Sequence, residues 1–223
     1  ANSYTLNAAT TLTATRTFNA LRYSGAAATL TLGASTFNLA TYGILNGGSG
    51  TLMIANATGG TGVVTTPTGG DNTLYLIPGS AGITFSSNTL NAVVADNGTA
   101  VNVVKGGAGT LTFGSSLAGS GANTYTGVTT INSGILASGS AVTNTFNGGA
   151  AGWLGASSSA ATNLVLNGGM LRYAGPTGGT TDRLFTLGEA GGTIENSAAS
   201  NGTLAFTATG SIVAAGTGDR TLV

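Results

Sequence analysis

Asp182, Glu189 and Glu195, with Arg172 and Arg183 close by, are the residues whose types and spacing could do chemistry. Two carboxylates flanking a glycosidic bond cleave glycans, and carbohydrate-cleaving β-helices exist. The plainer reading is a set of solvated charges at turns, with Asp182–Arg183 a surface ion pair worth about 0–1 kcal/mol. The other acids, Asp71, Asp96 and Asp219, stand apart in sequence. The chain has no histidine and no cysteine. The commonest general base and metal ligand, the serine-hydrolase triad, thiol nucleophiles and thiolate metal sites are therefore all missing. Gly69-Gly70-Asp71-Asn72 is a weak match to a calcium-binding glycine-rich turn, but such sites need the motif in adjacent turns and none follows. Gly106-Gly107-Ala108-Gly109 is no phosphate loop, because Lys105 precedes it and no helix comes next. The expectation is no catalytic residue, no metal and no cofactor. Asn56-Ala57-Thr58, Asn97-Gly98-Thr99 and Asn201-Gly202-Thr203 have the form of glycosylation acceptors, a match expected to be empty in a bacterial protein.

The elements that hold these residues are strands. Leu30 and Leu32 alternate with Thr29 and Thr31, and Leu111 and Phe113 with Thr110 and Thr112. Period-2 alternation makes one dry face and one wet face. Gly is 39 of 223 residues and only 5% are charged, far below ordinary usage. Mean hydropathy is +0.31, which excludes ordinary disorder. Three prolines leave few breaks in a backbone ladder. No segment carries a capped i, i+3, i+4 apolar stripe, so no helix is expected. Net charge is zero, and six Lys and Arg spread over the chain make no basic stripe for nucleic acid. No run of about 18 apolar residues exists to span a membrane as a helix. The short strands, without aromatic girdles, do not read as a membrane barrel. Ala1-Asn2-Ser3-Tyr4 lacks the basic start and apolar core of a signal peptide, as in a processed chain or an excerpt of a longer protein.

One stretch organises the rest. It reads Lys105-Gly106-Gly107-Ala108-Gly109-Thr110-Leu111-Thr112-Phe113, then Gly121-Ala122-Asn123-Thr124-Tyr125-Thr126-Gly127, then Val128-Thr129-Thr130-Ile131-Asn132-Ser133-Gly134-Ile135-Leu136. It resembles the passenger-associated β-strand repeat of bacterial autotransporter-type surface proteins, whose signature runs K-x-G-x-G-T-L-T-L, G-A-N-T-Y-T-G and T-T-I-N-x-G-x-L. Two departures show: Ser115 to Ser120 lengthen the first turn, and Val128 stands where a second Gly is usual. The resemblance implies a right-handed parallel β-helix, secreted and displayed outside the cell, and no catalytic activity. It also fixes a tyrosine at Tyr125, so packing at a coil corner is a plainer role for that ring than stacking on a sugar.

Weaker echoes run the length of the chain. Leu-Arg-Tyr recurs at Leu21 and Leu171, Gly-Thr-Leu at Gly50, Gly109 and Gly202, and Asn-Gly at Asn46, Asn97, Asn147, Asn167 and Asn201. The expected architecture is all-β: one right-handed parallel β-helix over residues 1–223, with irregular coils of roughly 20 residues or more and both ends open. Residues 105–136 are its best repeat, and the turn-rich stretch 56–72 is expected to project as a loop. The expected core is Leu30, Leu32, Leu52, Ile54, Leu111, Phe113, Ile131, Leu164, Leu166, Leu171, Tyr173, Leu204 and Phe206, with Arg22 and Arg172 outward. The expected function is structural: an extracellular or cell-surface stalk, fibre or surface layer with adhesion as an added role. Glycan cleavage or glycan binding is the alternative. Ice or crystal-surface binding by Thr29-Leu30-Thr31 and Thr110-Leu111-Thr112 arrays is a third. Expected partners are further coils of the parent chain or copies stacked end to end, and surface polysaccharide.

Overall fold

The computed structural model describes residues 2–33, 38–85, 92–114, 122–142, 145–200 and 202–223. The Thr36-Phe37 strand segment, the Ser115–Ser120 turn and the Asn201 turn lie outside the described residues.

The alternating segments form short strands, and the chain winds through them coil by coil. Coil 1 holds β1 (Tyr4–Leu6), β2 (Thr10–Thr11) and β3 (Arg16–Phe18). Coil 2 holds β4 (Leu21–Tyr23), β5 (Ala28–Thr31) and β6 (Leu39–Thr41). Coil 3 holds β7 (Gly43–Asn46), β8 (Leu52–Ala55) and β9 (Val63–Thr65), and coil 4 holds β10 (Thr73–Pro78), β11 (Ile83–Phe85) and β12 (Val93–Val94). Coil 5 contributes β13 (Asn102–Lys105) and β14 (Thr110–Phe113), and coil 6 contributes β15 (Thr129–Ile131) and β16 (Ile135–Ser138). A 3₁₀ turn, Ala161–Asn163, leads into coil 7, with β17 (Leu164–Leu166), β18 (Met170–Tyr173) and β19 (Gly179–Thr181). Coil 8 holds β20 (Thr186–Leu187), β21 (Thr193–Asn196) and β22 (Leu204–Phe206), and β23 (Val213–Ala214) starts the next pass.

Like strands of successive coils stack on one another. The first wall is a nine-stranded sheet, β1-β4-β7-β10-β13-β15-β17-β20-β23, and the second an eight-stranded sheet, β2-β5-β8-β11-β14-β16-β18-β21. The third wall is a four-stranded sheet, β12-β9-β6-β3, then a two-stranded sheet, β19-β22. The pairs between named strands are parallel. Each coil is the crossover that a parallel pair requires, in the right-handed sense such crossovers take. This is a parallel β-helix. First-wall strands begin at residues 4, 21, 43, 73, 102, 129, 164, 186 and 213, so coils take between 17 and 35 residues. Within the stretch 56–72, residues Val63–Thr65 form β9 of the third wall, with Val64 and Thr65 buried.

Because the strands are in register, inward residues form columns. On the first wall Leu21, Ile44, Leu76, Lys105, Ile131, Leu166 and Leu187 lie one above the next. On the second, Leu52, Ile83, Leu111, Leu136 and Leu171 do the same. All of these are buried. Each aliphatic side chain so buried contributes roughly 1.5–3 kcal/mol. Of the expected core, Leu204 and Phe206 are only partly buried against it. They lie in β22, the edge strand of a two-stranded sheet, with a neighbouring strand on one side only. Arg22 is exposed and Arg172 half-exposed, as strand parity requires.

Candidate functional site

The stretch from Lys105 to Leu136 is laced to its neighbouring coils by side-chain hydrogen bonds. Lys105 is fully buried in a column of aliphatic residues. Its Nζ donates to the carbonyls of Gly106 (2.7 Å), Gly107 (2.9 Å) and, on the next coil, Ser133 (2.8 Å). Burial pulls its pKa down from the ordinary lysine value to about 8. Gly134 closes this carbonyl cage with φ +63°, where a Cβ would lie 2.5 Å from the Gly107 oxygen and 2.7 Å from Nζ. No other residue type fits that backbone and that space.

Asn123 ties three coils together. Its Oδ1 accepts the Val94 N–H of coil 4 at 2.8 Å, and its Nδ2 donates to the Trp153 carbonyl of coil 6 at 3.0 Å. It thereby carries the third wall across the gap between β12 and β19, helped by bridges Asn123–Gly152 and Thr145–Thr180. Asp96 accepts the N–H groups of Val101 (2.9 Å) and Thr126 (3.0 Å) and the Thr126 hydroxyl (2.7 Å). Asn102 Oδ1 accepts the Val128 N–H at 2.9 Å. Tyr125 is fully buried, its hydroxyl 2.8 Å from Thr129 Oγ1, and burial pushes the phenol up to about 12. The ring packs in the core and offers no sugar platform.

The sequence-adjacent acids are not brought together. Asp182 follows β19 on the third wall and accepts the Gly148 N–H at 2.7 Å. Glu189 follows β20 on the first wall and is exposed. Glu195 lies in β21 on the second wall, 2.9 Å from the Arg172 guanidinium, the one ion pair among the described residues. The hydrogen bond from Ser197, then that from Arg172, holds its carboxyl below the usual range. A glycosidase acid needs the opposite shift. The expected Asp182–Arg183 surface pair needs correction. Arg183 is 3% exposed and turns inward, where it donates to the carbonyls of Phe146 (3.2 Å) and Gly155 (2.9 Å) and to Ser157 Oγ (2.9 Å). Burial lowers its pKa from the ordinary value. Five hydrogen-bond donors on a planar fork can satisfy several turn carbonyls at once, which a surface pairing would leave unmade. Sequence reading missed both buried cations, since no carboxylate at a regular spacing marks either one.

The other sequence signals dissolve in the fold. Asp71 Oδ1 accepts the Thr73 N–H at 3.0 Å, and among the described residues no group of three or more acids could hold a metal. The outward threonines of the second wall do not align: the column runs Thr29, Met53, Thr84, Thr112, Ala137, Arg172. Asn56 is buried, and Asn97 Nδ2 is engaged by Thr66 and Pro67, so neither amide is open to modification.

Residues 103–137 match the model of the passenger-associated-transport-repeat family. The chain carries an autotransporter passenger repeat. The ties just described, from Lys105 to Ser133 and from Asn102 to Val128, are thus the internal bonding of that passenger repeat. A stretch of 103 residues is 42% identical to the adhesin BmaC autotransporter of Brucella suis biovar 1 (strain 1330), covering 46% of this chain. The chain spans only about 3% of the length of that relative. No solved structure matches. A passenger repeat on a β-helix belongs outside the bacterial cell or on its surface, and no helix among the described residues is long and apolar enough to cross a membrane.

Proposed function

We propose that this chain is a non-enzymatic stalk segment of a surface-displayed passenger that holds an adhesive face away from the cell. The observation that carries this is the nine-stranded first wall, pinned from coil to coil by Lys105 and Asn102, with Asn123 tying the third wall. A ladder in which each coil satisfies the next resists bending and needs neither disulfide nor metal. At about 4.8 Å per coil, the described strands span about 38 Å along the axis. The likeness to an adhesin supports the adhesive part, and the separated acids support a non-enzymatic role. The test is adhesion. Beads coated with the folded chain should bind cultured host cells above beads coated with the heat-unfolded chain. Equal binding would remove the adhesive role. Release of reducing ends from a polysaccharide panel, lost in Glu195→Gln, would replace the stalk with the glycan-cleaving alternative.

A further inference from the structure

Asn-Gly pairs stand at Asn46, Asn97, Asn147 and Asn167 among the described residues. Such a pair can close on itself: the glycine backbone nitrogen attacks the asparagine Cγ, and ammonia leaves. The step is slow because a peptide N–H is a poor nucleophile until it loses its proton, and because negative charge builds on Oδ1. A neighbour that takes the proton, together with a donor on Oδ1, speeds it.

One pair has both. The Gly148 N–H donates to Asp182 Oδ1 at 2.7 Å, within reach for proton transfer. The Asp182 backbone N–H donates to Asn147 Oδ1 at 3.0 Å, the distance of an oxyanion donor. A single residue thus faces both reacting groups. Arg183 adds a third: its Nη2 donates to the Asn147 carbonyl at 3.4 Å, where charge collects as the Gly148 nitrogen gives up its proton. Thr181, the last residue of β19, holds the two segments side by side, its hydroxyl donating to the Phe146 carbonyl at 3.0 Å. Asn147 Nδ2, the group that must leave, has no hydrogen bond to the described residues, and Asn147 is only half-buried. The other pairs lack this arrangement. The Gly47 and Gly168 N–H groups donate to the carbonyls of Tyr23 (2.9 Å) and Gly191 (2.7 Å), which are too weakly basic to take a proton. Asn46 Nδ2 is held by the Gly50 and Gly82 carbonyls, and Asn97 Nδ2 by Thr66.

We propose that Asn147-Gly148 is a self-modifying site at which Asp182 acts as general base. The Asp182 carboxylate takes the Gly148 proton as the Gly148 nitrogen bonds to Asn147 Cγ. The tetrahedral oxyanion on Oδ1 is held by the Asp182 N–H. It collapses as the Cγ–Nδ2 bond breaks, and the proton passes from Asp182 to Nδ2, which leaves as ammonia. The product is a cyclic imide. Water opens it at either carbonyl and leaves aspartate or isoaspartate at position 147. Either product adds a negative charge beside Asp182 and Arg183 on the third wall. The reaction runs once per chain and turns over no substrate, so it stands apart from the stalk reading.

The test incubates the whole folded chain at neutral pH and maps its peptides by mass spectrometry, with isoaspartyl forms separated by chromatography. Asn147 should convert at least about tenfold faster than Asn46 and Asn167 in the same molecules. Unfolding in urea should slow Asn147 and bring the Asn-Gly pairs to similar rates. Asp182→Asn keeps an acceptor for the Gly148 N–H and keeps its own backbone N–H, but it cannot take a proton. It should slow conversion at Asn147 at least about tenfold, with the melting temperature little changed. Conversion of Asn147 no faster in the folded chain than in urea overturns the proposal, because the turn then only protects the pair. Equal rates in the parent and in Asp182→Asn also overturn it, because the carboxylate is then only a turn contact. The comparison of folded with urea-unfolded parent needs no variant, so it decides even if Asp182→Asn fails to fold.

Discussion

Lys105 and Arg183 are buried cations held by carbonyl dipoles instead of carboxylates. Lys105 makes a pH-dependent contribution whose sign follows from burial. Its folded pKa, about 8, lies below the value of 10.5 it has when unfolded. Between those values the unfolded chain binds a proton that the folded chain has released, so stability rises with pH. Relative to Lys105→Met, the parent should gain about 3 kcal/mol between pH 7.5 and pH 10.5. Urea unfolding at a series of pH values measures it, and parallel curves for the two proteins would show that the ammonium is not desolvated. Tyr125 acts in the other direction. Its phenol, raised to about 12 by burial, keeps its proton in the fold after the unfolded chain loses it, so stability falls above pH 10. For Arg183, replacement by Met strips the donor from the Gly155 carbonyl and from Ser157 Oγ, while the Phe146 carbonyl keeps the Thr181 hydroxyl. A loss of about 3 kcal/mol or more is expected, since each stranded group costs about 1–3 kcal/mol. Asp182→Asn keeps an acceptor for Gly148 and should cost under about 1 kcal/mol. Equal losses in the two variants would restore the surface ion pair.

At the scale of elements, asparagine and glycine decide where the ladder continues and where it turns. β12 is the last strand of the four-stranded third wall, yet Val94 still finds an acceptor in Asn123 Oδ1. Replacing Asn123 by Leu, of similar size, leaves the Val94 N–H and the Trp153 carbonyl without their partners. About 2–4 kcal/mol should be lost, with amide exchange at Val94 accelerated beyond the effect on β13. Uniform acceleration across both strands would mean that Asn123 is not a local tie. The turn at Gly134 makes a sharper prediction. Ala there must adopt a left-handed backbone and intrude between the Gly107 and Gly109 carbonyls, at 2.5 and 2.6 Å. Gly134→Ala should therefore destabilise far more than Gly43→Ala, whose new methyl meets only ordinary contacts. Thermal melts of the pair give the comparison directly.

Over the whole molecule, the columns make the core one continuous body. Leu111 touches solvent nowhere and stands between Ile83 and Leu136 in register. Leu111→Asp places an unpaired charge at the middle of that column and should cost several kcal/mol. Unfolding should also spread in both directions from coil 5, because each coil depends on its neighbours for hydrogen bonds. Limited proteolysis with peptide mapping would detect it as new cuts in coils 4 and 6. A melt unchanged from the parent would mean that the second wall faces the other way.

The alternation of Leu111 and Phe113 with threonine, and of Leu171 and Tyr173 around Arg172, is enough by itself to set strand parity and the all-β class. Period 2 is a local property, and it survives into the fold because one-residue slips would turn a whole strand inside out. The passenger repeat was equally legible, since its residue order is continuous in sequence. The fate of the charged groups was not. Lys105 reaches a carbonyl 28 residues away at Ser133, and Arg183 one 28 residues away at Gly155. Asp182, Glu189 and Glu195, close in sequence, fall on three different walls because the chain turns a corner between each pair. Coil lengths between 17 and 35 residues put stacking partners at no fixed offset. Which backbone carbonyls surround a buried cation, and which outward side chains share a column, are therefore decided only when the coils stack.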